Sequence, residues 1–321
     1  MSAAARLRAP ARWRWWEALL WLLMWAAPLV FAPHAALINE VAILALFALS
    51  LDLILGYAGI VSLGHTAYFG VGAYGAALFA KHVMPDPLLG LAVGTALGGV
   101  LGLLTSPMIV RGTDLTRLMV TMGIALVLLE LANKFDDLTG GMDGLQGVVM
   151  GPLLGHFEFD LGARVASFYS LTVLFIVFLL LRRVVNSPLG YSLQALRDNR
   201  LRLSAIGLSV NARLAAVYTL GAALAGTAGA LLAQTTAFAS LDVLEFHRSA
   251  DVLLALVIGG AGWLWGGIVG AVAFKVLHDF VSSFTAQYWN FWIGLFLVLL
   301  MLVGRERLFK PWSWFRRRGG A

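Results

Sequence analysis

Cysteine is absent from the 321 residues, which excludes disulfide frameworks, Cys-ligated metals and thiol nucleophiles together. Charge is scarce as well. Asp, Glu, Lys and Arg make up 12% of the chain, against ~25% in ordinary soluble domains. A net charge of +6 spread so thinly offers no basic surface for a phosphate backbone, so nucleic acid is excluded as a partner. No lysine follows a glycine, so the phosphate-cradling G-x-x-x-x-G-K-[ST] loop is missing, as are H-E-x-x-H and G-x-S-x-G. The six histidines are scattered. The chain is therefore expected to carry no catalytic residue, no metal site and no cofactor of its own.

What fills the space is apolar: hydrophobic residues reach 60%. A hydrocarbon core of ~30 Å needs roughly 20 apolar residues in a helix. Such segments fall at 15–31, 36–55, 60–80, 88–106, 118–133, 165–181, 214–233 and 287–303. The apolar stretch 250–281 is too long for one ordinary span and is expected to fold back near Gly259 to Gly262. That leaves a short piece, 250–261, re-entrant or buried against protein, and a longer one, 264–281. The fold class that follows is all-α, a polytopic membrane helix bundle with eight to ten hydrophobic segments. The first segment has the charged-then-apolar order of a signal peptide, but it is long, rich in Trp and lacks an A-x-A site, so an uncleaved helix is expected.

Lys and Arg near helix ends stay cytoplasmic. Placing Arg6, Arg8, Arg12 and Arg14 inside also puts inside Arg111, Arg117, the arginines of 182–213 and the basic residues of 305–321. Eighteen of the 23 cations then lie inside, only Lys81, Lys134, Arg164 and Arg248 lie outside, and Lys275 is left within an apolar segment. Both termini are expected to be cytoplasmic, which requires an even number of crossings. The chain reads as one transmembrane domain, 1–321: first six spans in 14–181, an inside loop at 182–213, C-terminal spans in 214–304 and a basic tail at 305–321.

Glycine spacing supplies the packing signal, because membrane helices associate through close contact that small residues permit. Gly90, Gly94, Gly98 and Gly102 form one stripe; Gly221, Ala225, Gly229 and Ala233 a second; Gly262, Gly266 and Gly270 a third. Each serves either packing within the chain or a face toward a partner subunit. Ionisable residues avoid the span centres. Glu40, Glu130 and Asp251 sit near outer ends, Asp52 lies a few residues from an inner turn at Gly56 to Gly59, and Lys275 can pair with Asp279. No central proton relay is present, which places the energy source elsewhere.

The inside loop does not read as a flexible linker. Ser187 and Pro188 can cap and start a helix, Leu189, Leu193 and Leu196 give it one apolar side, and Arg197, Asp198, Asn199 and Arg200 close it, with Gly207 as a stop. Such a helix would lie along the membrane surface or dock into a soluble partner.

Four stretches carry a resemblance to a known family: GYAGIVSLGHTAYFGVGAY at 56–74, LTGGMDGL at 138–145, the loop from Gly190 through Asn211, and GGAGWLWGGIVGA at 259–271. The chain resembles the permease subunits of ABC transporters for branched-chain amino acids, of the LivM type. The resemblance implies an importer with a second related permease, two cytoplasmic ATPases that hold ATP and Mg, and an extracytoplasmic binding protein, assembled in a bacterial plasma (inner) membrane. It implies that Gly190, Leu193, Leu196, Arg197, Asp198, Asn199 and Gly207 couple the permease to an ATPase. Ser62, Gly64, His65, Tyr68, Phe69 and Gly72 are the candidates for the translocation pathway, with His65 and Phe69 sharing a helix face. His65 could instead tie the turn to a neighbouring carbonyl. Asp136, Asp137, Thr139, Gly140, Gly141, Asp143 and Gly144, in the outside loop 134–164, are candidates for docking the binding protein; a solvated turn is the alternative.

A stand-alone channel or secondary carrier for a small polar solute is the rival class. Alkaline phosphatase fused after residue 160 is expected to be active, and inactive when fused after residue 199; the reverse pattern would invert the assignment of sides.

Overall fold

The computed structural model describes residues 14–112, 114–160, 162–205 and 207–284, together with 291, 294 and 295. The arginines at positions 6, 8 and 12, most of the span expected at 287–303 and the basic tail lie outside the described residues. The described residues form twelve α-helices and no strand beyond two isolated bridges. In chain order they are α1 (Trp15–Val30), α2 (Ala35–Asp52), α3 (Thr66–His82), α4 (Pro87–Arg111), α5 (Asp114–Lys134), α6 (Asp136–Thr139), α7 (Arg164–Val185), α8 (Pro188–Asp198), α9 (Arg200–Ala205), α10 (Val210–Thr236), α11 (Phe246–Gly259) and α12 (Leu264–Phe284).

Among the described residues, six helical segments are long and apolar enough to cross a membrane: 32–57, 87–111, 115–134, 164–185, 210–236 and 264–282. Helix α1 is shorter, at 16 residues, because the chain turns at Phe31 and re-enters through a single 3₁₀ turn, Ala32–His34. The span expected at 60–80 begins later. Residues 58–65 are non-helical and α3 starts at Thr66. Backbone of this kind survives at membrane depth only where protein surrounds it. Here Ile60 N–H donates to Ile54 O at 3.1 Å, and the Ser249 hydroxyl of α11 accepts from Thr66 N–H at 3.1 Å.

Residues up to Ala271 form one compact unit and those from Val272 a second. In the first, α10 packs against α3 and α4 to make the centre, with α2 against α7 and α10. Glycine sets the spacing there. A Cβ on Gly72 would lie 2.2 Å from Gly226 O, one on Gly94 2.7 Å from Gly72 O, and one on Gly229 1.8 Å from Phe69 O. All three stripes are thereby spent inside the chain. Gly90, Gly94, Gly98 and Gly102 meet α10 at Gln234, Ala230, Gly226 and Ala222, while Gly266 and Gly270 meet Gly260 O and Ala255 O. The fold-back lies where glycines allow it, with Gly260 at φ 108° and Gly262 at φ 82° between α11 and α12.

Polar side chains then fasten the bundle. Asn39 of α2 donates to Thr235 of α10 at 3.0 Å and accepts from Ser170 of α7 at 2.6 Å. Gln234 donates to Pro87 O at 2.6 Å and accepts from Tyr169 at 3.0 Å. Arg182 of α7 and Glu17 of α1 form an ion pair at 2.6 Å with both side chains 10% exposed. In the second unit, Lys275 and Asp279 pair at 3.6 Å.

Gly229→Ala is expected to cost about 1–3 kcal/mol through overpacking, read as a lowered unfolding midpoint of the detergent-purified protein. Gly123→Ala, where a Cβ meets nothing within 4 Å, should leave that midpoint unchanged or raise it.

Candidate functional site

The inside loop folds as its pattern implies. Ser187 is the N-cap of α8, its hydroxyl accepting from Gly190 N–H at 3.5 Å. Leu193 and Leu196 are fully buried. Gly190 is buried too, and a Cβ there would stand 2.0 Å from Val185 O, so α8 can fold back against the end of α7 only with glycine at this position. The helix ends at Asp198, earlier than the expected stop at Gly207; a second short helix, α9, intervenes before Gly207 at φ 80°. Asp198 and Asn199 are exposed.

Arg197 turns back onto the chain. Its guanidinium Nη1 donates to Gly56 O, the carbonyl at the end of a π turn, Leu53–Tyr57, that finishes α2. Its stem crosses Gly59, where φ is 70° and a Cβ would lie 2.9 Å from Arg197 Cγ. Beside it, the Asp52 carboxylate accepts from Gly262 N–H at 2.7 Å. Asp52 is 1% exposed, so the expectation of an interfacial charge gives way to a buried cap on the fold-back before α12. A cavity of about 420 Å³ opens alongside, lined by Tyr57, Tyr191, Gln194, Trp263 and others.

The pathway candidates cluster, but in the core. Ser62, Gly64, His65, Tyr68, Phe69 and Gly72 are all buried. Since the Ser50 hydroxyl donates to Phe47 O at 2.6 Å, His65 Nε2–H is assigned as the donor to Ser50 Oγ at 2.9 Å, leaving Nδ1 the unprotonated nitrogen. The imidazole stacks on Phe47 with ring centroids 5.4 Å apart and planes at 6°. Tyr68 links Thr105 of α4 and Tyr218 of α10 through two 2.8 Å bonds. Gly64 and Gly72 are close-packing positions, against Thr121 O and Gly226 O. The tie that His65 makes is therefore to a hydroxyl of α2 and not, as expected, to a carbonyl.

In the outside loop, Asp136, Asp137 and Asp143 are exposed. Thr139 is buried and donates to Ala132 O and Phe135 O. Gly140, Gly141 and Gly144 have φ of 79°, 53° and 74°, so they build the turn that presents the aspartates. Sequence reasoning missed Ser249, Ser50 and the cluster of Asp242, Glu245, His247 and Arg248 at the start of α11. There His247 sits 3.2 Å from Asp242 and 2.9 Å from Glu245, and Arg248 bonds Asp242. Only the dense spacing of charges over 242–248 pointed to this cluster.

This geometry defines a multi-pass membrane helix bundle with two interrupted segments and a surface helix seated on their ends. The chain belongs to the family of branched-chain amino acid transport system permease components, whose model matches residues 34–304. That is a family of transport components, not of enzymes. The chain is similar to the high-affinity branched-chain amino acid transport system permease protein LivM of Salmonella typhimurium, 29% identical over 284 residues, and to that of Escherichia coli, 28% identical over 284 residues. Each comparison covers 80% of this chain and 65% of the relative, so the chain spans about two thirds of their length. It is also 25% identical over 257 residues to a probable branched-chain amino acid transport permease protein LivH of Methanocaldococcus jannaschii, covering 76% of this chain and 79% of that one. No solved structure matches.

A His65→Cys thiol, introduced into a chain with no other cysteine, is expected to resist a membrane-impermeant maleimide in the purified resting protein, as its burial requires. Rapid labelling would place His65 on an open aqueous path.

Proposed function

We propose that this chain is a membrane-spanning permease subunit of an ATP-driven ABC importer, in a bacterial inner membrane, that translocates branched-chain amino acids or related small amino acids and amides by alternating access. The family match supports the class of cargo. The observation that carries the ATP-driven reading is α8: a Ser187-capped helix with Leu193 and Leu196 buried against its own chain and Gln194, Ala195, Asp198 and Asn199 exposed. A channel or carrier has no use for such a platform, whereas a separate cytoplasmic ATPase needs one.

In this reading the segment 182–213 is the coupling loop, and Gly190, Leu193, Leu196, Arg197, Asp198, Asn199 and Gly207 shape and present it. Two ATPases hold ATP and Mg, a second related permease completes the passage, and a binding protein docks outside, on Asp136, Asp137 and Asp143 held by Thr139 and the adjacent glycines. Closure of the ATPases moves α8 and shifts the population between two packed states. Ser62, His65, Tyr68 and Phe69 lie where α2 and α3 are interrupted, the kind of discontinuity around which transporters build their solute sites. Repacking of α3 against α2 would bring these side chains to the passage.

Reconstituted with its ATPases, partner permease and binding protein, the chain is expected to support labelled leucine uptake that requires ATP and stops without it. Equal uptake with no ATPase and no nucleotide would establish the carrier class instead.

A further inference from the structure

We infer that Arg197 is a positioning residue that joins α8 to both interrupted membrane segments, so that α8 and the α11–α12 turn move as one body. The inference rests on the importer reading above. Three separate stretches of chain meet here: α8, the end of α2 with the segment that follows it, and the α11–α12 turn. Its guanidinium holds Gly56 O at the end of α2, and its stem lies across Gly59 in the non-helical segment that follows. Its Nη1 stands 3.1 Å from where a Cβ on Gly262 would be. Gly262 N–H is itself held by Asp52, whose carboxylate interacts electrostatically with Arg197.

Three glycines make the joint possible. A Cβ on Gly56 would fall 2.0 Å from Asp52 Oδ1 and 2.3 Å from Gly262 N, and Gly59 and Gly262 both have positive φ. A cation here also does two jobs that a neutral side chain cannot. It meets the partial negative charge at the carbonyl end of a helix, and it offsets a carboxylate that is 1% exposed. Removing it would leave Gly56 O without that donor and take a cation from beside Asp52, whose bond from Gly262 N–H would then be the tie left at the turn. A pull on α8 therefore reaches the end of α2 and the turn before α12 through Arg197 in addition to the buried Leu193 and Leu196, while the exposed Gln194, Ala195 and Asp198 are left to the motor.

The test uses the assembled complex with pairs of spin-labelled cysteines in this Cys-free chain. One pair, Gln194→Cys with Trp263→Cys, spans the joint through two exposed positions beside the same cavity. The other, Gln194→Cys with Met142→Cys, reports α8 against the outside loop. With Arg197 present, trapping the ATPases with ADP and vanadate should shift the second distance and leave the first unchanged. In Arg197→Met, and in Gly59→Ala as an independent way to displace the arginine stem, the first distance should change on trapping. Leucine uptake should fall roughly tenfold, with ATPase copurification retained. A first distance that changes on trapping with Arg197 in place, or stays fixed in both variants, overturns the joint. If the ATPases fail to bind the unmodified chain, the importer reading itself falls.

Discussion

In a bilayer the backbone has no water to turn to, so every interruption of a helix must be closed by groups the protein itself provides. Among the described residues the chain interrupts its helices at 58–65 and at 260–263, and much of its polar side-chain placement answers that constraint. Ser249 accepts from the first free N–H of α3. Asp52 accepts from the fold-back at Gly262, and Arg197 donates to the last carbonyl region of α2. Two of these three ties draw on α11 or its following turn. The short helix that cannot cross a membrane by length is thus the one that holds the two breaks to each other.

Close packing and polar closure are two aspects of one arrangement. Helices α3, α4 and α10 approach through Gly72, Gly94, Gly98 and Gly226, with backbone atoms where side chains would ordinarily stand. At that separation short hydroxyls and amides span the gap between helices, as Tyr68 does to Thr105 and Tyr218 and as Gln234 does to Pro87. In lipid such bonds add modestly to stability, about 0.6 kcal/mol on average. Their larger effect here is to fix register, because a helix shifted by one turn would lose several of them at once.

Much of the architecture was legible in the sequence because apolar length and glycine spacing are one-dimensional signals. The fold-back at Gly259 to Gly262, the Ser187 cap and the turn at Gly140 to Gly144 all fall where local chemistry demands them. The late start of α3 was not legible, since residues 58–65 are nearly as apolar as a helix and their closure depends on Ser249, more than 180 residues away. Nor was the direction of Arg197. Arg197 stays exposed, as a cation at the end of an amphipathic helix should, but its bond is to Gly56 O, 141 residues away in the chain, which no local pattern announces. The burial of His65 was not legible either, because its partner Ser50 lies on another helix.

The pairing of Glu17 with Arg182 carries a consequence for biogenesis. The carboxylate enters the bilayer on the first helix, and its counter-ion is 165 residues further along the chain. At ~5–20 residues per second the wait is on the order of 10–30 s. Throughout that interval α1 has a charge without its mate, and it must idle near the headgroups or against the insertion machinery. The buried pairing that holds the N-terminal helix can therefore form only once α7 has been made.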